Sequence, residues 1–329
     1  MCLATGTPAV QREGSRTLRR NERLDPVFQS LVSPGTEAWS FDTLPAIRAR
    51  VHSTFKSVQR TGGDECWTTS FDAQRLRLCL YRPKASVRGA ALPVILYLHG
   101  GGFVLGKPEM ADDLLWHLTH ELQTVIVAVD YRLAPEHPFP VPLEDCHAAL
   151  GWIFDNQRNF NLDPERVVVM GHSAGGGLAA ALCILARDRG QHPLAGQVLI
   201  YPMLDHRTGS ADSPHTLPGT AGLSWLPAPN QFCWDCLRGG YKLDDHRVGL
   251  FSPAMHTDLR NLPPTFMSVG SQDLFLEEDV DFAMRLSRAG VAMELHVYPG
   301  APHMFDQVAG RITAQSILDT TRALKALLE

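Results

Sequence analysis

The stretch Gly171-His172-Ser173-Ala174-Gly175 stands between a short apolar run at 166–170 and a Gly-, Ala- and Leu-rich segment at 176–187. The run before it is β-branched and reads as a buried strand; the segment after it carries apolar residues at helical spacing. In that context Gly-x-Ser-x-Gly is a sharp strand-to-helix turn that holds a serine hydroxyl above a sheet, near the positive end of the next helix. The turn leaves no room for side chains on either side, hence the glycines. The pattern alone also arises by chance, so its flanks and partners must decide.

Apolar runs at 94–98, 125–129, 167–170, 198–201, 265–269 and 294–298 alternate with helix-length stretches at 111–122, 143–155, 175–188, 277–289 and 313–328. Continuous apolar runs separated by helices predict a doubly wound parallel sheet. Ahead of them, residues 66–81 alternate apolar and polar, which predicts one or two half-buried antiparallel strands. The alternation breaks once, between Asp205 and Phe251, in a stretch rich in Pro and Gly that carries Trp225, Phe232, Trp234 and Tyr241. An insertion of that length is usually functional. It reads as a cap over the site, joined by residues 26–58, where Phe28, Leu31, Trp39, Phe41, Leu44, Ile47 and Phe55 recur at loosely helical spacing. The division expected is a tail and cap segment at 1–58, core at 59–204, inserted cap at 205–251 and core again at 252–329. Residues 1–22 are polar and read as a frayed terminus.

A serine is a poor nucleophile until a base takes its proton, so a histidine and an orienting acid should follow. In this architecture they come at the carboxyl ends of later strands, acid first and histidine last. His303 lies just after the last apolar run, in a loop stiffened by Pro299, Gly300 and Pro302. Asp273 follows the run ending Val269-Gly270, the place for the carboxylate that fixes the imidazole tautomer. Two acids compete with it. Asp205 also sits at a strand end but at the hinge of the insertion, and Asp279 lies inside a predicted helix. Glu277 and Glu278 beside it read as an acidic first turn favoured by the helix dipole.

His99-Gly100-Gly101-Gly102-Phe103 follows the 94–98 strand. Three glycines there weaken order at high entropic cost, which points to bare N–H groups approaching a substrate carbonyl. Gly101, Gly102 and Ala174 would supply a three-donor oxyanion hole, with His99 fixing the loop. A phosphate-cradling loop is the rival reading, but neither Gly-Lys-Ser/Thr nor GxGxxG is present. Cys233-Trp234-Asp235-Cys236 looks like half a metal site, yet no second pair follows at ligand spacing, so two incidental thiols are the better reading.

A net charge of −5 gives no footprint for nucleic acid or an anionic membrane surface. No uncharged apolar run is long enough to span a bilayer, so no stable membrane insertion is expected. Seven scattered cysteines without a secretory leader argue for reduced thiols and a cytoplasmic setting.

The His99–Phe103 glycines, residues 130–140 (DYRLAPEHPFP) and Gly171-His172-Ser173-Ala174-Gly175-Gly176 together resemble the hormone-sensitive-lipase-like branch of the α/β-hydrolases, over about residues 90–306. The resemblance implies an α/β-hydrolase fold: a mostly parallel eight-stranded sheet flanked by helices, with a helical cap. It implies a serine carboxylesterase without metal or cofactor, working on small-molecule esters with short to medium acyl groups and uncharged alcohols through an acyl-enzyme. Homodimerisation through the last strands is a further family property. The chain departs from the family at His172, where many members carry Asp, at Leu274 in place of proline, and at Glu277 in place of aspartate. Within the 130–140 stretch, Arg132 and Glu136 are expected to form buried or semi-buried pairs that set the loop near the glycines. Two other classes remain open: an amidase or deacetylase using the same residues, and a binding protein like the plant hormone receptors that resemble this branch but lack the histidine.

Overall fold

The computed structural model describes residues 23–56, 63–83, 90–215 and 223–329. The polar tail at 1–22, Cys2, the Phe55 side chain and the boundary at residue 58 lie outside the described residues.

Eight strands form one sheet: β1 (Asp64–Thr69), β2 (Arg75–Tyr81), β3 (Leu92–Leu98), β4 (Val125–Val129), β5 (Leu162–His172), β6 (Gly196–Ile200), β7 (Thr265–Gly270) and β8 (Met293–Tyr298). Their order is β1-β2-β4-β3-β5-β6-β7-β8. β1 and β2 are antiparallel to their neighbours, and every other pairing is parallel. The alternating stretch thus holds two strands, joined by a turn in which Ser70 N donates to Gln74 O at 2.8 Å.

Because side chains along a strand point alternately to opposite faces, the sheet carries two cores. Val94, Leu96 and Leu98 of β3 face one side with Val125, Val127 and Val129 of β4; Ile95 and Tyr97 face the other with Ile126 and Ala128. Both faces are buried, which is why these strands read as continuous apolar runs. The helices, in chain order, are α1 (Leu44–Lys56), α2 (Asp112–Leu122), α3 (Val141–Asp155), α4 (Gln157–Phe160), α5 (Ala174–Arg189), α6 (Pro227–Arg238), α7 (Val248–Phe251), α8 (Leu276–Arg288) and α9 (Arg311–Leu328). The side chains of α3, α5 and α8 fill the first core, and those of α2 and α9 fill the second. α5 is buried on all sides from Ala174 to Ala186, as its small residues allow. β5 is longer than its apolar run, because Leu162-Asp163-Pro164-Glu165 extend the strand ahead of it.

Candidate active site

Ser173 sits where β5 gives way to α5, at φ 53° and ψ −119°, a left-handed conformation unfavourable for a residue with a Cβ. Three backbone hydrogen bonds hold it there: its N–H donates to Ile200 O at 2.9 Å, and its carbonyl accepts from Gly177 and Met203, each at 3.0 Å. A Cβ on Gly175 would stand 2.1 Å from the Leu98 carbonyl, so the first turn of α5 touches the end of β3 through backbone alone.

His303 Nε2 lies 2.9 Å from Ser173 Oγ, and His303 Nδ1 lies 2.8 Å from Asp273 Oδ2. All three side chains are buried, Asp273 fully. Asp273 Oδ1 accepts from Phe275 N at 3.0 Å, so the carboxylate is held from both sides. The Phe275 ring stands edge-on to the imidazole at 5.0 Å, and Tyr201 approaches it at 4.6 Å. With Nδ1–H donating its hydrogen bond to Asp273, Nε2 is free to accept from the serine hydroxyl.

The two competing acids go elsewhere. Asp205 binds Arg207 through both carboxylate oxygens, at 2.9 and 2.7 Å. Asp279 is fully buried, and among the described residues neither oxygen has a hydrogen-bond partner. Burial raises its pKa well above the usual carboxylate range, and the Glu278 and Asp273 charges nearby add to the shift. Glu278 is buried too and accepts from Leu204 N at 2.7 Å. The acidic first turn is therefore not a solvated face: two of its three acids are buried, Glu278 against the segment after β6.

The glycine loop runs beside the serine. A Cβ on Gly100 would lie 3.5 Å from Ser173 Cβ, and Gly101 and Gly102 have φ +125° and +59°. The Gly101 carbonyl accepts from Val104 and Leu105 at 3.1 and 2.9 Å, closing a tight turn. His99 Nδ1 bonds Gly100 O at 2.8 Å, while its ring stacks on Tyr131 at 4.1 Å and Tyr131 donates to His99 O at 2.7 Å. Burial lowers the His99 pKa, so this is a neutral ring that shapes the loop.

Arg132 and Glu136 do form ion pairs, with partners the sequence did not indicate. Arg132 binds Asp145 at 2.7 Å and Asp72 at 2.6 Å. Glu136 binds Arg48 of α1 at 2.6 Å, and the same guanidinium donates to Val104 O and Ala134 O, each at 2.8 Å. Arg48 therefore ties the N-terminal segment to the loop that continues the glycines. A cation on an exposed-looking helix carries no local signal of such a role.

Ser173 and His303 open onto a cavity of about 700 Å³. Its walls include Trp39, Ile47, Val51 and the Glu37–Arg50 pair from the N-terminal segment, and Trp225, Leu226 and Pro229 from the stretch after β6. Trp39 packs edge-on to Trp225 at 5.6 Å, joining the two segments across the cavity. Ser33 N donates to Leu223 O at 2.6 Å nearby. Cys233 and Cys236 are free, buried thiols on α6, their pKa values raised by burial. Cys233 packs behind Gly102. Among the described residues no three His, Cys, Asp or Glu side chains form a metal-ligating group, and no helix is long and apolar enough to cross a membrane.

Residues 95–307 match the model of a protein family described as having the alpha/beta hydrolase fold. The chain is 35% identical to carboxylesterase NlhH of Mycobacterium tuberculosis over 246 residues, 72% of this chain and 73% of that protein. It is 33% identical to the ethyl acetate hydrolase of Pseudomonas putida over 238 residues, 72% of this chain and 73% of that one. Among solved structures, a bacterial heroin esterase superposes with a TM-score of 0.84 at 30% identity, covering 94% of this chain and 99% of that one.

Proposed function

The chain belongs to the α/β-hydrolase family, in its hormone-sensitive-lipase-like branch, and from that premise we propose that it is a serine carboxylesterase for short- to medium-chain acyl esters. The observation that carries the reading is the hydrogen-bonded line from Ser173 Oγ through His303 to Asp273, at 2.9 and 2.8 Å, facing the cavity. In this mechanism His303 Nε2 takes the hydroxyl proton as Ser173 Oγ attacks the ester carbonyl. Asp273 holds the Nδ1 proton and stabilises the imidazolium that forms. The N–H groups of Gly101, Gly102 and Ala174 receive the oxyanion. His303 gives its proton to the leaving alkoxide, and the alcohol departs. Water then enters, loses a proton to His303 and attacks the acyl-enzyme; the acid leaves as Ser173 regains its proton.

The described parts of the segments at 26–58 and 205–251 act in this reading as one cap, whose indoles limit the acyl chain. The six described cysteines are all free thiols, which supports a reducing, cytoplasmic setting. Hydrolysis of a p-nitrophenyl ester series from acetyl to dodecanoyl, wild type beside Ser173→Ala, tests the proposal. Turnover should peak at the short chains and vanish in the variant. Activity that persists in Ser173→Ala would remove the serine mechanism.

A further inference from the structure

Four side chains from separate segments meet beside Ser173: Tyr97 of β3, His172 of β5, Tyr201 just after β6, and Asp306 three residues past His303. The Tyr97 and Tyr201 rings stand edge-on to the His172 ring at 5.6 and 5.7 Å. Tyr97 Oη lies 3.2 Å from His172 Nδ1, and Tyr201 Oη donates to Asp306 Oδ1 at 2.6 Å. The second carboxylate oxygen lies 3.6 Å from His172 Nε2. All four side chains line the cavity that Ser173 faces, and a quarter of the Asp306 side chain, 25%, is exposed.

The charges around this group do not balance. Among the described residues no lysine or arginine pairs with Asp306; its near partners are a phenol and an imidazole. Burial lowers the His172 pKa more than Asp306 raises it, so that ring is a neutral neighbour. Elsewhere in the cavity Arg50 neutralises Glu37, while Asp113 adds a further carboxylate to the lining. A partly enclosed wall of this kind attracts a cation. A neutral isostere would displace water from the carboxylate and offer no donor in its place.

We propose that Asp306 is a specificity determinant that anchors a protonated amine of the substrate, carried in the acyl or the alcohol part of the ester cleaved at Ser173. This rests on the esterase reading above and replaces the uncharged alcohol that the family resemblance implied. In the sequence Asp306 is only a polar residue after the His303 loop; the fold turns it into the cavity.

The test compares kcat/KM for two isosteric pairs at neutral pH and low salt. On the alcohol side the pair is 2-(dimethylamino)ethyl acetate and 3-methylbutyl acetate; on the acyl side it is ethyl 4-(dimethylamino)butanoate and ethyl 5-methylhexanoate. The cationic member of at least one pair should lead by about tenfold or more, the size of one charge-assisted contact. In Asp306→Asn that ratio should fall towards one. Ratios near or below one in the wild type, or a preference that Asp306→Asn leaves intact, overturn the proposal. If Asp306→Asn does not fold, the wild-type preference and its loss at high salt decide instead. If neither p-nitrophenyl acetate nor any of the four esters is turned over, the esterase reading falls. Calorimetric binding of N-[2-(dimethylamino)ethyl]acetamide against N-(3-methylbutyl)acetamide to Ser173→Ala then decides the cation site alone: tighter binding of the amine supports it, and equal binding ends it.

Discussion

The Ser224 hydroxyl donates to the main-chain carbonyl of His303 at 2.7 Å, joining the stretch after β6 to the loop that carries the proposed base. The neighbouring Trp225 ring lies 6.1 Å from the imidazole. A neutral hydrogen bond of this kind contributes about 1 kcal/mol. Ser224→Ala should therefore lower Tm by no more than about 2–4 °C and kcat on p-nitrophenyl butyrate by up to about fivefold. An unchanged kcat would mean that the His303 loop holds its own position.

Asp273 is the one of three candidate acids that reaches His303, whereas Asp205 is bound to Arg207. Replacing an acid in that position by its amide stabilises the wrong imidazole tautomer and lowers kcat by about 10⁴. Asp273→Asn should show that loss, and Asp205→Asn should stay within about tenfold of wild type, since its carboxylate touches no reacting group. Comparable losses in both would move the orienting role off Asp273. Steady-state kinetics on one activated ester suffices.

That choice was legible in the sequence because chain order and strand ends are set locally: Val269-Gly270 closes an apolar run, and Asp273 follows at the carboxyl edge. The parallel strands were legible for a related reason, since two buried faces leave no polar positions in the run. What stayed hidden depends on elements distant in sequence. Arg48 and Glu136 are 88 residues apart, and an arginine on an amphipathic helix looks the same whether it faces water or a loop. Glu277 and Glu278 fit a helix-dipole pattern, but that pattern says nothing about which way the first turn of α8 faces or that Asp279 is buried in it. The Tyr97, His172, Tyr201 and Asp306 group draws on four separate segments, so no window of sequence contains it.

Gly102 has little space. A Cβ there would stand 2.6 Å from Cys233 Sγ and 3.3 Å from the Trp225 ring, at φ +59°. Gly102→Ala must therefore shift the loop as well as adopt a left-handed conformation that costs about 1–2 kcal/mol. If the Gly102 N–H binds the oxyanion, kcat should fall by about 10²–10³. Adding Cys233→Ala relieves the sulfur contact but not the dihedral, so the double variant should recover only part of the loss. Gly102→Ala with wild-type kcat would exclude that N–H as a donor.

Asp279 should make stability depend on pH in an uncommon direction. In an unfolded chain an aspartate titrates near about 3.9. In the fold, burial beside Glu278 and Asp273 raises its pKa well above that. Between the two values the folded state keeps a proton that the unfolded chain has released, so each rise in pH favours unfolding. The stabilisation is complete below the unfolded value and is lost as pH climbs through the folded one. Asp279→Asn keeps the shape and removes the titration. Its Tm should therefore fall less than that of the wild type from weakly acid to weakly alkaline pH. The gap between the two curves should widen by a few degrees, since about 1 kcal/mol moves Tm by about 2–4 °C in domains of moderate size. Parallel melting curves across that range would show that Asp279 is ionised in the fold, and a counter-charge would then have to be sought next to α8.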